Sequence, residues 1–235
     1  MTQSMVRIET AGAAWVIALD RPPVNAINLE LADALFAAVA AARDDDACRA
    51  IVVTGREGVF SAGIDHREVP AYDAATRARM LRTINRGIHS LYALPKPLVV
   101  AVSGHALGAG LVLALTGDLR LAARGEFRLG LTEAKAGIPF PAGPMTVVQA
   151  ELPPDLVRVL CLTSAVGDPE SHLLGRTIDR VVAHHLLRGE AIREALELAA
   201  QPGFRAVKRQ VRAATAARLA DIVARDDEPL LAGWL

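Results

Sequence analysis

KPLVVAVSGHALGAGLVLALTGDLRLAAR, residues 96–124, alternates apolar runs with small residues in a way that implies strand, turn and helix. Leu98 to Val102 is an apolar run that stops at Ser103-Gly104. Ala106, Gly108, Ala109 and Gly110 follow, then a second apolar run from Leu111 to Leu115, with Asp118 ahead of a further strand-like segment. A strand that turns through glycines into a helix leaves N–H groups at the helix start without intrahelical partners. Such groups attract anions and developing oxyanions. Glycine and alanine there let a ligand approach the main chain. Taken alone, Gly108-Ala109-Gly110 more often describes tight packing than a binding site.

Upstream of this stretch, residues 5–9 and 14–19 predict two strands around Ala11-Gly12. Asp20-Arg21-Pro22-Pro23 ends the second, because proline removes a donor and stiffens the chain. Asn28 is placed to cap a helix whose Leu31, Ala34, Leu35, Ala38, Val39 and Ala42 form one apolar stripe. Ala50 to Thr54 predicts a buried strand, and 58–69 a glycine-rich passage with no regular period. Asp73 caps a helix with Met80, Leu81, Ile84, Ile88 and Leu91 on its apolar face, stopped by Pro95 and Pro97. Strands alternating with helices predict βαβ units and a mostly parallel sheet. After Phe127 the texture becomes helical, over 142–151, 154–164, 184–200 and 203–219. An α/β core over 1–182 and a helical C-terminal region over 183–235 are therefore expected.

The chain of 235 residues is long enough for a substantial core, and its 26 basic and 26 acidic side chains balance. A neutral chain with 4% aromatic residues lacks the basic face and stacking platforms of a nucleic-acid binder. Cys48 and Cys161 stand far apart and read as reduced core thiols. His184-His185 lacks metal-ligand spacing, so no metal is expected. The first residues show no charged-then-apolar leader and no apolar run reaches membrane-spanning length, so a cytoplasmic protein without a membrane partner is expected.

Four passages together carry a resemblance: LDRPPVNAIN (19–28), VFSAGIDHREV (59–69), SGHALGAGLVLALTGDLRLAA (103–123) and EFRLGLTEAKAGIPFPAG (126–143). Their order and separation resemble the enoyl-CoA hydratase/isomerase (crotonase) superfamily. The resemblance implies an α/β spiral of ββα units with a helical C-terminal trimerisation region. It implies homotrimers or hexamers, an acyl-CoA thioester as substrate, and no cofactor beyond the coenzyme A that the substrate carries.

By motif position the resemblance makes the amides of Ile64 and Ala109 the two donors to a thioester enolate, with Ala109 where relatives usually have glycine. Hydratases of the family use two glutamates. One corresponds to Glu133, and the position of the other holds Val112, which cannot transfer a proton. A single carboxylate suffices to carry a proton from C2 to C4 of a 3-enoyl thioester, so the pattern is similar to the family's Δ3-Δ2-enoyl-CoA isomerases. Hydratase or lyase chemistry with a substitute acid, and a catalytically silent acyl-CoA-binding relative, are the alternatives. Glu133 also suits an ordinary helix-start carboxylate.

The resemblance further places Ala26, Ala62, Gly108 and Val112 around the substrate, and Arg21, Arg67 and Lys208 against CoA phosphates. Solvated charge suits those three cations equally. Asp65 suits a local bond to turn amides as well as a substrate contact. His66 and His105 flank the donors, and Asp118 reads as a structural acceptor between apolar runs. Val112, Phe140 and Leu111 are expected to shape the acyl pocket. The segment 220–235, with Trp234 as an anchor, suits either closure over the site or packing on a neighbour.

Overall fold

The computed structural model describes residues 5–228 and 231. Trp234 lies outside the described residues. The chain opens with a hairpin, β1 (Val6–Ala11) antiparallel to β2 (Ala14–Leu19), as the alternating pattern predicts. Asn28 caps α1 (Leu29–Asp44), its side chain accepting from Leu31 N–H at 2.9 Å. The expected stripe faces inward, with Leu31, Leu35, Ala38, Val39 and Ala42 buried.

Three ββα turns then follow one another. The first is β3 (Ala50–Thr54), β4 (Gly58–Ser61) and α2 (Ala74–Tyr92). The second is β5 (Leu98–Val102), β6 (Gly104–Leu107) and α3 (Ala109–Leu115). The third is β7 (Leu119–Ala123), β8 (Leu129–Gly130) and the short α4 (Glu133–Ala136). Each turn gives its first strand to one sheet and its second to another. With β9 (Val166–Gly167) and β10 (Arg180–Val182), the sheets run β1-β2-β3-β5-β7-β10 and β4-β6-β8-β9. Apart from the hairpin and the β8–β9 pair, neighbouring strands are parallel.

The large sheet is covered on both faces, which explains why β3 and β5 read as unbroken apolar runs. Ile51, Val53, Leu98 and Val100 face α1, α2 and α3, whereas Val16, Val52, Val99 and Leu121 face α7 (Leu187–Ala199). Leu187, Ala191 and Ala195, one helical turn apart, form the buried stripe of α7. Between α4 and α7 in sequence lie α5 (Ala142–Glu151) and α6 (Pro154–Thr163), and α8 (Phe204–Arg225) packs on α2 and α5. The boundary expected at 182/183 falls at the end of β10.

Five strands escape the sequence reading. β4 and β6 fall in stretches read as glycine-rich turns, and β8 to β10 in a region read as helical. Each has only two to four residues, and β4 carries a register shift between Val59 and Ser61. So few residues cannot display a period of two, and only pairing with neighbours stabilises them. The last helix also runs on to Arg225, past the expected end at 219.

Candidate active site

The second sheet brings two glycine turns edge to edge. Ile27 N–H donates to Gly63 O at 2.7 Å and Asp65 N–H to Ile27 O at 2.9 Å, so residue 64 is bridged in parallel to residue 27. In a parallel pairing the residue between those two bonds points its own N–H the other way. The Ile64 amide therefore faces away from the 24–27 segment. Gly63 has φ +84°, and a Cβ there would meet Leu107 O at 2.6 Å and lie 3.3 Å from the Ala109 nitrogen. The turn preceding Ile64 thus abuts the start of α3. Ala109 opens that helix, so its N–H has no intrahelical acceptor. Gly110 fits only because a side chain there would strike Ser61 O at 2.4 Å.

Pairing of β6 with β8 sets the carboxylate beside this turn. Ala106 and Leu107 register with Leu129 and Gly130, and Gly108 N–H donates to Gly130 O at 2.8 Å. Three residues on, Glu133 starts α4. Its Oε1 lies 3.2 Å from the point where a Cβ on Gly108 would sit, a position open only because Gly108 lacks a side chain and adopts φ +52°. Its Oε2 is buried and has no hydrogen-bond partner. Burial raises the Glu133 pKa to about 7, against smaller opposing bonds from the Glu133 and Thr132 amides. A buried unpaired carboxylate oxygen is costly, and such groups collect where chemistry needs them.

Ala62, Ile64, Gly108, Ala109, Val112 and Glu133 line one cavity of about 60 Å³. Phe140 and His66 also border it, the latter from an exposed position, as do Leu81 and Ile84 from α2, Pro144 from α5 and Leu231. The contributions of α2 and α5 are invisible in sequence, since an apolar stripe reads the same against core or cavity. Leu111 is fully buried and does not border this cavity. Val112, 1% exposed, presents hydrocarbon at the position where the family's hydratases carry their second glutamate.

Several expected substrate contacts are otherwise engaged. Arg21 donates through Nη1 to Ala26 O at 2.9 Å and Asp65 Oδ2 at 2.6 Å, and through Nη2 to Glu68 Oε2 at 2.7 Å. It is a clamp on the 64–68 loop rather than a cation held out for phosphate, and the Ala26 carbonyl is its partner. Asp65 Oδ1 accepts from the Arg67 and Glu68 amides at 2.9 and 3.0 Å, the local Asx job. Desolvation opposes ionisation of Asp65, but the Glu68 amide, Arg21 and the Arg67 amide outweigh it and lower its pKa. Neither Arg21, Ala26 nor Asp65 borders the cavity. Arg67 is exposed next to His66.

Lys208 is the clearest correction. It is 8% exposed, and its Nζ donates to Asp118 Oδ2 at 2.6 Å and Lys96 O at 3.0 Å. Asp118 in turn accepts from Leu98 N–H at 2.8 Å, at the start of β5, whereas the cavity lies beyond the far end of that strand. One turn later Arg212 donates to Tyr92 O, Thr116 O and Gly117 O. Both cations tie α8 to the core, and burial lowers the Lys208 pKa to about 8 despite the Asp118 charge. His105 also points elsewhere, its Nδ1 accepting from Arg128 N–H and its ring meeting Phe127 edge-on.

Among the described residues no group of three His, Cys, Asp or Glu side chains is placed to hold a metal, and no helix is long and apolar enough to cross a membrane. Both cysteines are free and buried.

Comparison with known proteins gives concordant matches. The family model for enoyl-CoA hydratase/isomerase matches residues 9–230. A carnitinyl-CoA dehydratase of Salmonella arizonae is 34% identical over 202 residues, 86% of this chain and 75% of the relative. Among solved structures, human mitochondrial Δ3-Δ2-enoyl-CoA isomerase superposes with TM-score 0.86 at 27% identity, covering 94% of this chain and 88% of that one. An enoyl-CoA hydratase/isomerase family protein of Pseudomonas syringae gives TM-score 0.85 at 25% identity, with 94% and 96% covered.

Proposed function

The chain belongs to the enoyl-CoA hydratase/isomerase family of acyl-CoA enzymes, and within that family we propose that it is a Δ3-Δ2-enoyl-CoA isomerase with Glu133 as its one proton carrier. The observation that carries this reading is the buried, unpartnered Glu133 Oε2 in a cavity where Val112 supplies hydrocarbon. The carboxylate takes a proton from C2 of a 3-enoyl thioester. Electrons move toward the thioester oxygen, whose growing charge is held by the Ile64 and Ala109 amides. Each such donor contributes about 3 kcal/mol where water is excluded. The protonated acid then returns the proton to C4, leaving the 2,3 double bond. No second acid is consumed and no water is added, so Val112 is compatible with the whole cycle. The fold likeness to the human isomerase supports this reading.

His66, at the exposed edge of the cavity, and the exposed Arg67 next to it in sequence are the side chains proposed to meet the CoA portion, in place of Arg21 and Lys208. Self-association into trimers or hexamers is also proposed. It is supported by Val207 and Val211, exposed by 55% and 78% one turn apart on α8.

Purified protein is to be assayed on a 3-enoyl-CoA and a 2-enoyl-CoA, following conjugation spectroscopically and water addition by mass. Isomerisation without hydration is expected, and Glu133→Gln should lower it about 10³-fold. Wild-type rates in that variant would dismiss Glu133. The likeness to a carnitinyl-CoA dehydratase favours a second reading, water elimination from a 3-hydroxyacyl thioester with Glu133 as the sole acid/base. Hydration of the 2-enoyl substrate would select it.

A further inference from the structure

A second void lies behind the cavity that holds Glu133. Ile64, Ile84, Ala109, Val112 and Pro144 wall both, and the second, of about 40 Å³, lies between α1, α2 and α3. Every residue that lines it is apolar, including Leu31, Ala32, Leu35 and Phe36 of α1 and Ile88 of α2. The half-buried Phe36 ring is seated against Gly87, where a Cβ would come within 2.1 Å of it. Protein interiors leave few voids larger than a water, and an apolar one offers water no partner. It also withholds dispersion contacts from its walls unless something fills it.

We propose that this chamber is the subsite for the distal carbons of the acyl group, an unbranched apolar tail that passes Val112. The inference rests on the acyl-thioester reading of the site. The reacting carbons must lie between the Glu133 carboxylate and the Ile64 and Ala109 amides. Carbons beyond them need an apolar path, and Val112 is one of the five residues that wall both spaces, the one that follows Ala109 along α3. It is thereby both the residue that denies the site a second acid and the sill over which the tail runs. A volume of about 40 Å³ is room for only a few water-sized groups, at roughly 10–15 Å³ each, so the chamber takes about two or three carbons. The structure thus selects short, straight acyl groups of about six carbons. A rival path runs past Ile138 and Phe140 toward Met145, but that groove is open and carries Arg218 and Glu228, poor company for a hydrocarbon tail.

Calorimetric binding of saturated butanoyl-, hexanoyl- and octanoyl-CoA tests this without requiring turnover. The parent protein should bind hexanoyl-CoA more tightly than butanoyl-CoA. Ala32→Val, which fills the chamber without touching the reacting end, should weaken hexanoyl-CoA about tenfold, the loss when roughly two methylenes forfeit burial. Its butanoyl-CoA affinity should stay within about twofold of the parent's. Ile88→Val, which enlarges the chamber, should shift the preference toward octanoyl-CoA. Folding of both variants is checked by circular dichroism and thermal melting. Folded variants with the parent's chain-length profile overturn the subsite, as does a profile moved by Met145→Trp but not by Ala32→Val. Failure of every acyl-CoA to bind would instead sink the acyl-thioester reading beneath it. Loss of isomerisation with the chain-length profile intact would leave the subsite standing.

Discussion

Glu133 is half-ionised near neutrality because burial raises its pKa to about 7 from 4.5. A base must be ionised to work, so kcat/KM for isomerisation should fall about tenfold per unit below pH 7 and level off above it. A pH–rate profile with its midpoint near 4.5 would contradict this placement. The same shift bears on stability. The folded chain binds this proton more tightly than the unfolded chain does, so stability is fullest below about pH 4.5 and declines as pH rises toward 7. Glu133→Gln removes the buried charge. Denaturant unfolding should therefore find the variant more stable than the parent by about 1–3 kcal/mol at pH 8, with the difference shrinking toward pH 5. Gly108 makes room for this carboxylate. Gly108→Ala places a Cβ 3.2 Å from Glu133 Oε1 and strains a backbone at φ +52°, a cost of about 1–3 kcal/mol. Its kcat should drop about 10- to 100-fold with substrate binding less affected, which steady-state kinetics on the 3-enoyl-CoA would report. The identity of Glu133 was legible in sequence only through motif position. Its isolation from partners was not, because burial of one oxygen depends on what α2, α5 and Leu231 bring.

At the scale of elements, the loop that carries Ile64 is held by one polar network. Arg21 grips Asp65 and Glu68, while the Tyr72 hydroxyl donates to Glu68 Oε1 at 2.7 Å and the Asn28 amide donates to both Glu68 oxygens. Glu68 thus joins the end of β2, the start of α1 and the loop before α2. Glu68→Ala should lower kcat through Ile64 displacement and cost about 1–3 kcal/mol, since it strands several part-buried donors at once. Parallel measurement of kcat and unfolding separates the two effects, and unchanged values of both would dismiss the network. Sequence showed each participant as a separate charge or cap. Asn28 and Asp73 were readable as caps because capping is local, whereas Arg21 and Asp65 meet across 44 positions. Lys208 fails for the same reason, since its partner Asp118 lies 90 positions earlier. Lys208→Met should cost about 3 kcal/mol in thermal or denaturant unfolding by leaving part of a buried charge cluster unpaired. An effect confined to CoA binding would reinstate it at the phosphate.

Over the whole molecule, the spiral repeats one arrangement: a strand in the large sheet, a strand in the small sheet, a helix. The site forms where successive turns of the spiral stack, so Ile64, Ala109 and Glu133 come from consecutive ββα units. Beyond them, α8 exposes Val207 and Val211. Val207→Glu with Val211→Glu should reduce the mass seen by light scattering if that face joins copies of the chain, and an unchanged mass would point to another surface. The long elements were set by sequence alone. Helices α1, α2, α5, α6 and α7 and strands β2, β3 and β5 carry enough residues for periodicity, caps and prolines to specify them. The resemblance of its motifs to the family added the chemistry on offer, two exposed-amide turns and one carboxylate with valine in place of another. Tertiary structure decided the short strands, the partners of every buried charge, and the second apolar chamber. Those depend on contacts between residues tens of positions apart, whose energies exist only once the sheets have stacked and water has left the space between them.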